Sequence, residues 1–388
     1  MDSPLVWAEV DLEAIAHNVR ELRRITDPGA DLMAVVKANA YGHGVIEVTR
    51  KALENGADSM GIARIEEGIE LRKAGFNESV LIFGYTPPVL AHKLIEFDLT
   101  QTVLSYNTAQ ALSDIAVSFN KQIKTHLKVD TGMGRLGLLP DYRQPPVTEQ
   151  NLIGNAIREV KSISSLAGLE LEGVYTHFAT ADSTDKTYAG KQLEIFLDFL
   201  SKLRRAGINP PLCHAANSAA IIDMPETHLD MVRAGIAIYG LYPSDEVNKR
   251  RIALKPAMTL KSKIIHLKRV PPGFNVSYGS IYQTPKSTTI ASIPVGYADG
   301  FNRLLSSRGH MLVRGRRAPI VGRVCMDQTM LDVGHIPDVN LEDEVVIYGR
   351  QGDESITVDE IAASLNTINY EIVSALTARV PIIYPNVS

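Results

Sequence analysis

Lys37 follows the apolar run Leu32 to Val36, and counting back by two places Val35 and Met33 on its face, so its side chain is expected to rise along a strand interior toward the strand end. A lysine there costs free energy unless it is used, and one chemical use is a Schiff base with an aldehyde. A second run, Lys124 to Asp130, sets Lys124, His126, Lys128 and Asp130 on one face and Thr125, Leu127 and Val129 on the other. The apolar set can pack on helices, which leaves Lys128 and nearby Arg135 in need of anionic partners. His177 and His214 each end a further run, where a structural and a functional histidine are both open readings. Arg233 is permanently charged, so it donates hydrogen bonds and takes up no proton. Ser218, after Asn217, stands at a plausible helix start whose amides favour a phosphate, and Gly235 and Ile236 add N–H groups where barrels often bind one. Gly132 to Gly137 matches a dinucleotide-binding pattern, but that pattern must open a helix. Leu138 to Pro146 carries three prolines and reads as a loop instead.

These residues need a scaffold, and the chain supplies a regular one. Eight short runs alternate with amphipathic stretches: Leu32 to Val36, Ser59 to Ala63, Val80 to Gly84, Thr100 to Leu104, Ile123 to Val129, Leu169 to Thr176, Pro211 to Ala215 and Met231 to Ala237. Helical spacing is plainest over Lys186 to Arg205, where Leu193, Phe196, Leu197, Leu200 and Leu203 recur. Eight strand-helix units imply an α/β fold, a (β/α)8 barrel of the TIM type, over residues 1–245. The basic stretch Asn248 to Arg251, followed by Pro256, marks a boundary, and residues 246–388 are expected to form a mainly β domain. Its runs include Lys261 to Val270, Thr288 to Pro294, Pro319 to Val324 and Glu344 to Tyr348, and two short helices, near Val358 to Leu365 and Tyr370 to Thr377, finish the chain.

The 388 residues carry a formal net charge of -4 with both signs mixed, which provides no basic field for a nucleic acid. Cys213 and Cys325 are too few for a disulfide framework and lack metal-like pairing. No secretory leader and no apolar span long enough for a membrane is present, so the expected setting is the cytoplasm.

The run Ala34-Val-Val-Lys-Ala-Asn-Ala-Tyr-Gly-His-Gly44 closely resembles the cofactor-lysine motif of alanine racemases. Further segments agree in order: Lys128-Val-Asp-Thr-Gly-Met-Gly-Arg-Leu-Gly137, Thr176-His-Phe-Ala179, His214-Ala-Ala-Asn-Ser-Ala219, Val232-Arg-Ala-Gly-Ile236, Ser277-Tyr-Gly279, Gly296-Tyr-Ala-Asp-Gly300 and Cys325-Met-Asp327. The likeness spans nearly the whole chain. It implies that Lys37 carries pyridoxal 5'-phosphate as a Schiff base, with Tyr41, His177, Asn217, Ser218, Arg233, Gly235, Ile236 and Tyr384 binding the cofactor. By the same resemblance His177 and His214 line the cofactor ring and orient Arg233, which faces the pyridine nitrogen and leaves it unprotonated. That makes a weaker electron sink and limits side reactions such as transamination.

Inverting a stereocentre needs acid-base groups on opposite faces of the cofactor plane. The resemblance assigns these to Lys37 and to Tyr278, the tyrosine coming from the partner in a homodimer with shared active sites. Arg135 matches a substrate-binding position, and Met326 and Asp327 match positions that reach the substrate carboxylate region from the partner. Lys128 matches a lysine that is carbamylated in some members, and a salt bridge with Asp130 is the alternative here. The implied activity interconverts L-alanine and D-alanine, the latter for peptidoglycan, and a serine or broad-specificity racemase of the same fold is the alternative. Decarboxylases of related architecture carry other cofactor motifs, and a noncatalytic single barrel leaves the second domain unexplained. One departure stands out: relatives commonly have an arginine where this chain has Ile382.

Overall fold

Buried parallel strands read as continuous apolar runs, because helices cover one side of the sheet and the barrel interior fills the other. The computed structural model of the chain describes residues 4–140 and 149–385. After a first strand, β1 (Val6–Val10), eight strands close into a parallel barrel: β2 (Asp31–Val35), β3 (Ser59–Ile62), β4 (Val80–Ile82), β5 (Thr100–Val103), β6 (Ile123–Lys128), β7 (Leu169–Tyr175), β8 (Leu212–His214) and β9 (Met231–Ala234). Closure is made at β2, where Met33 lies beside Ser59 of β3 and Arg233 of β9. Met33, Leu81 and Met231 are buried together, with Phe83 and Leu212 packed against them. The helix Thr187–Arg205 buries Phe196, Phe199, Leu200 and Leu203 and leaves Leu197, counted with its apolar face from sequence, exposed.

The β6 to β7 ladder slips between Thr125 and His126, a local irregularity beside the site described below. His126, Lys128 and Asp130 are all buried, in keeping with an inward polar face, while Lys124 is half-buried and pairs with Asp98. Residues 130–138 form a loop that returns on its own strand, with the Asp130 amide donating to Leu138 and the Leu138 amide to Lys128. No helix opens at Gly132, so the glycine pattern does not build a dinucleotide site. The rest of the proline-bearing segment, residues 141–146, lies outside the described residues.

The chain divides into two compact units. The barrel unit holds Glu13–Ala40 and Val45–Lys255; the strand unit holds β1, Tyr41–Gly44 and the residues from Pro256 on. In the strand unit β1 runs antiparallel to Met258–Lys263 and parallel to Ile382–Ile383. The division at residues 245 and 246 drawn from sequence therefore does not include this first strand in the unit to which it belongs. Its register is held by Lys261, whose ammonium reaches Glu9 at 2.9 Å and Glu344 at 3.1 Å. The single run expected over Lys261 to Val270 is two strands, Met258–Lys263 and His266–Val270. At the break, the Ile264 amide bonds to Asp343 and the Ile265 amide to Ser292, so the chain passes from one sheet to another. Val270, Val276, Ile290, Val321 and Met330 form the core of the second sheet.

Candidate active site

Lys37 stands directly after β2, at the carboxyl ends of the barrel strands where such folds place function. It is half-buried, and desolvation, with the positive charge of Arg135 second, holds its ammonium below the ordinary lysine value. The next four residues, Ala38, Asn39, Ala40 and Tyr41, have φ of 53°, 52°, 51° and 52°, a left-handed turn made without glycine. L-residues resist this conformation by roughly 1–2 kcal/mol each, so the surroundings must impose it. Two side chains on the barrel unit do so. Glu67 accepts from the Ala38 amide at 2.6 Å and from Ala63 and Arg64 at 2.7 and 3.0 Å, and Asn39 Oδ1 accepts from Val45 at 2.8 Å.

Arg233, on β9, is 4% exposed and fully engaged on one side. Its Nη2 donates to the carbonyls of Thr176 at 2.8 Å and Ala215 at 2.9 Å and approaches His177 Nδ1 at 3.2 Å, while Nη1 reaches His214 Nδ1 at 2.9 Å. Burial brings its guanidinium down to about 10. His214 and His177 are held well below the usual histidine value, by desolvation first and by the charge of Arg233 next, so both are neutral. The Tyr175 ring stacks on His214 at 4.7 Å and lies under Arg233 at 5.3 Å.

Lys128 Nζ sits 4.7 Å from the centre of the same Tyr175 ring and makes no hydrogen bond among the described residues. The salt bridge with Asp130 that the sequence left open is not formed. The Asp130 carboxylate is instead taken by the amides of Gly132, Gly134 and Arg135 at 3.0 to 3.1 Å, which shapes the loop carrying Arg135. Desolvation, then the charge of Arg233, drives the Lys128 ammonium well below its usual value.

Asn217 caps the short helix Ser218–Asp223 through a 3.0 Å bond from the Ala220 amide. Ser218 Oγ accepts from the amides of Gly235 at 2.8 Å and Ala237 at 3.4 Å, so its own proton is left to donate. Ile236 opens the 3-10 turn Ile236–Tyr239 beside it.

Tyr41, Tyr278, Met326, Asp327 and Tyr384 belong to the strand unit. Tyr41 is buried, which pushes its hydroxyl above the usual tyrosine value, and its ring lies 6.1 Å from that of Tyr370. The Tyr384 hydroxyl donates to the His43 carbonyl at 3.2 Å. A Cβ at Gly44, where φ is +90°, would fall 1.9 Å from that hydroxyl, so only glycine admits Tyr384 there. Tyr278 is 71% exposed on a turn in which Ser277 and Ser280 adopt φ of 66° and 49°. Ser277 Oγ fixes the turn by donating to the Arg323 carbonyl at 2.8 Å. Met326 is also exposed, and Asp327 accepts from Arg379 at 2.8 Å, with Arg379 reaching Asp299 as well.

Two participants, Glu67 and Tyr175, were not singled out for a role from sequence, and neither carried a signal there.

A parallel barrel whose strand ends carry a depressed lysine, a buried arginine and two neutral histidines, joined in one chain to a strand-rich unit, defines an enzyme of the two-domain barrel class. The chain belongs to the alanine racemase family. The family model "Alanine racemase, N-terminal domain" matches residues 10–243 and "Alanine racemase, C-terminal domain" matches residues 257–384. The alanine racemase of Desulfosudis oleivorans is 53% identical over 383 residues, covering 98% of this chain and 96% of that one. That of Methanococcus maripaludis is 50% identical, covering 99% and 100%. The solved alanine racemase of Clostridium difficile superposes with a TM-score of 0.91 at 39% identity, covering 100% of this chain and 97% of its own. The chain is thus an isomerase acting on amino acids.

Proposed function

We propose that the chain interconverts L-alanine and D-alanine with pyridoxal 5'-phosphate, Lys37 serving the D-face and Tyr278 of the partner subunit the L-face. The observation that carries this reading is Arg233, a buried group that can only donate, fixed by two carbonyls and a neutral histidine. Set against the ring nitrogen of the cofactor, it would leave that nitrogen without a proton, which would restrain the chemistry toward inversion and away from transamination.

The residues present fit the cofactor. Lys37, with its ammonium destabilised, supplies an amine to hold the aldehyde, and the unused Ser218 proton suits a phosphate oxygen, with Gly235, Ile236, Tyr41, Tyr384 and Asn217 completing the set. When bound, the cofactor supplies an electron sink that acidifies the substrate Cα–H. Lys37 then takes or returns the proton on one face, and Tyr278 does so on the other. His177 and His214 hold Arg233, while Arg135 binds the substrate and Met326 and Asp327 of the partner subunit reach the region of its carboxylate.

Lys128 is proposed to be carbamylated. Its neutral amine forms an N–C bond to carbon dioxide and loses a proton to solvent, and the carboxylate produced pairs with Arg135. The exposure of Tyr278 and Met326 supports their burial against a second copy, in a homodimer with shared sites. No helix among the described residues is long and apolar enough to cross a membrane. Membership of the family supports a cytoplasmic enzyme whose D-alanine supplies peptidoglycan in a bacterial host. The test is a chiral assay of purified protein with pyridoxal phosphate on alanine and serine. Inversion of alanine with serine much slower is expected; equal rates favour the broad-specificity alternative, and no inversion of either sinks the proposal.

A further inference from the structure

Arg233 is a buried cation with no carboxylate within ion-pair distance among the described residues. One route from it to a carboxylate runs through two imidazoles. His214 Nε2 lies 2.8 Å from His126 Nδ1, and His126 Nε2 faces Glu172 Oε2 at 3.6 Å. His214 is 0% and His126 2% exposed, so both rings are shut off from bulk solvent. Glu172, at the far end, keeps 26% of its side chain exposed and also accepts from Thr100 Oγ1 at 3.4 Å.

The protons in this row are forced from the arginine end. A guanidinium only donates, so His214 Nδ1 must present its lone pair. A neutral His214 then carries its proton on Nε2 and donates to His126 Nδ1, and His126 in turn carries its proton on Nε2, toward Glu172. Every link then runs one way, from cation to carboxylate. The chain also spends a residue on this row: a Cβ at Gly173, next to Glu172, would fall 2.6 Å from His126 Nδ1, so the imidazole occupies space that only glycine leaves open.

We propose that Glu172, acting through His126, is a positioning residue for the racemase reaction, serving as the remote counter-ion of Arg233 and fixing His214 as the Nε2–H tautomer whose bare Nδ1 holds the guanidinium. This rests on the assignment of Arg233 to the ring nitrogen. Without the carboxylate, Arg233 alone biases the row, and the reversed bond between the two histidines is opposed from one end only. In the reversed form an Nδ1–H of His214 opposes a guanidinium N–H at 2.9 Å, and Arg233 is pushed from its place.

The test is nitrogen-15 histidine NMR of the holoenzyme combined with kinetics of Glu172→Gln and Glu172→Asp. The native enzyme should show His214 and His126 as Nε2–H tautomers. In Glu172→Gln a fraction of His214 should shift to Nδ1–H, and kcat should fall about tenfold with KM little moved, as when a supporting shell is lost; Glu172→Asp should recover most of it. A native His214 in the Nδ1–H form overturns the proposal without recourse to any variant, and so does a soluble Glu172→Gln enzyme with unchanged kcat. A holoenzyme that shows the tautomers but inverts no amino acid instead overturns the functional reading on which this rests.

Discussion

Lys128 and Tyr175 meet face on: the ammonium lies 4.7 Å from the ring centre, and the ring is its one close partner among the described residues. A cation held only by a π-face in a dry interior is poorly compensated, which favours the neutral, nucleophilic amine.

Enzyme equilibrated with carbon-13 bicarbonate is therefore expected to give a carbamate carbonyl resonance that disappears in Lys128→Met. The same variant should raise KM by about tenfold, through an Arg135 left without its anion. A native spectrum with no such resonance would remove carbamylation from the scheme.

The left-handed turn after Lys37 predicts that Ala38→Gly stabilises the protein. Ala38 is exposed, so no buried methyl is lost, and relief of the backbone strain outweighs the added flexibility of glycine by roughly 0.5–1 kcal/mol. Ala38→Val should do the reverse. Thermal melting of the two variants checks this, and a lower melting temperature for the glycine variant contradicts the strain.

His214 and His177 have folded values below their unfolded ones, so the unfolded chain binds more protons as the pH falls through ~6.5. Stability should hold above neutrality and fall below it by up to about 1.4 kcal/mol per pH unit for each histidine. Chemical denaturation between pH ~5 and ~8 measures the slope, and His214→Gln should make it shallower. A stability that rises on acidification would contradict the neutral state of both rings.

The proposed pair of bases on opposite faces predicts an asymmetry in Tyr278→Phe. In deuterium oxide this variant should still exchange the α-proton of D-alanine, where Lys37 acts, while exchange from L-alanine falls by about a hundredfold or more. Mixed dimers of Lys37→Ala and Tyr278→Phe subunits should regain one intact site. Verified heterodimers without activity would place both bases in a single subunit.

Ile382 lies beside Gly44, with its Cδ1 3.5 Å from where a Cβ would stand, and next to the strand end that carries Tyr384. Ile382→Arg should slow loss of the phosphate-bearing cofactor on dialysis by about threefold, the scale of one exposed ionic contact. Equal loss rates would show that the substituted charge does not reach the phosphate.

The barrel strands were legible because each is a short apolar run between helical stretches, and Ser59–Ile62 and Val80–Ile82 differ from their sequence spans only by trimmed ends. Met231 to Ala237 stops early, at Ala234, because Gly235 turns the chain into the 3-10 turn that follows. The role of β1 was not legible, since Val6–Val10 is a short run without clean alternation and its antiparallel partner lies some 250 residues away. Ala38 to Tyr41 has the composition of an ordinary helix and no glycine; its handedness is set by Glu67 and Asn39, which act through tertiary contacts. Glu172 looks like any mid-strand carboxylate until Gly173 is seen to admit the His126 ring.

The pairing of β1 with Met258–Lys263 and Ile382–Ile383 fixes the order in which the chain can be finished during synthesis. Met258–Lys263 leaves the ribosome directly after the barrel residues, but Ile382–Ile383 comes only near the end of the chain, so the first strand made is among the last to be paired on both sides. Until Ile382 and Ile383 emerge, one side of that strand stays an open row of amides and carbonyls, able to recruit another chain. Proteolysis just before Ile382 should recreate the same open edge in the finished protein, and aggregation is the expected consequence.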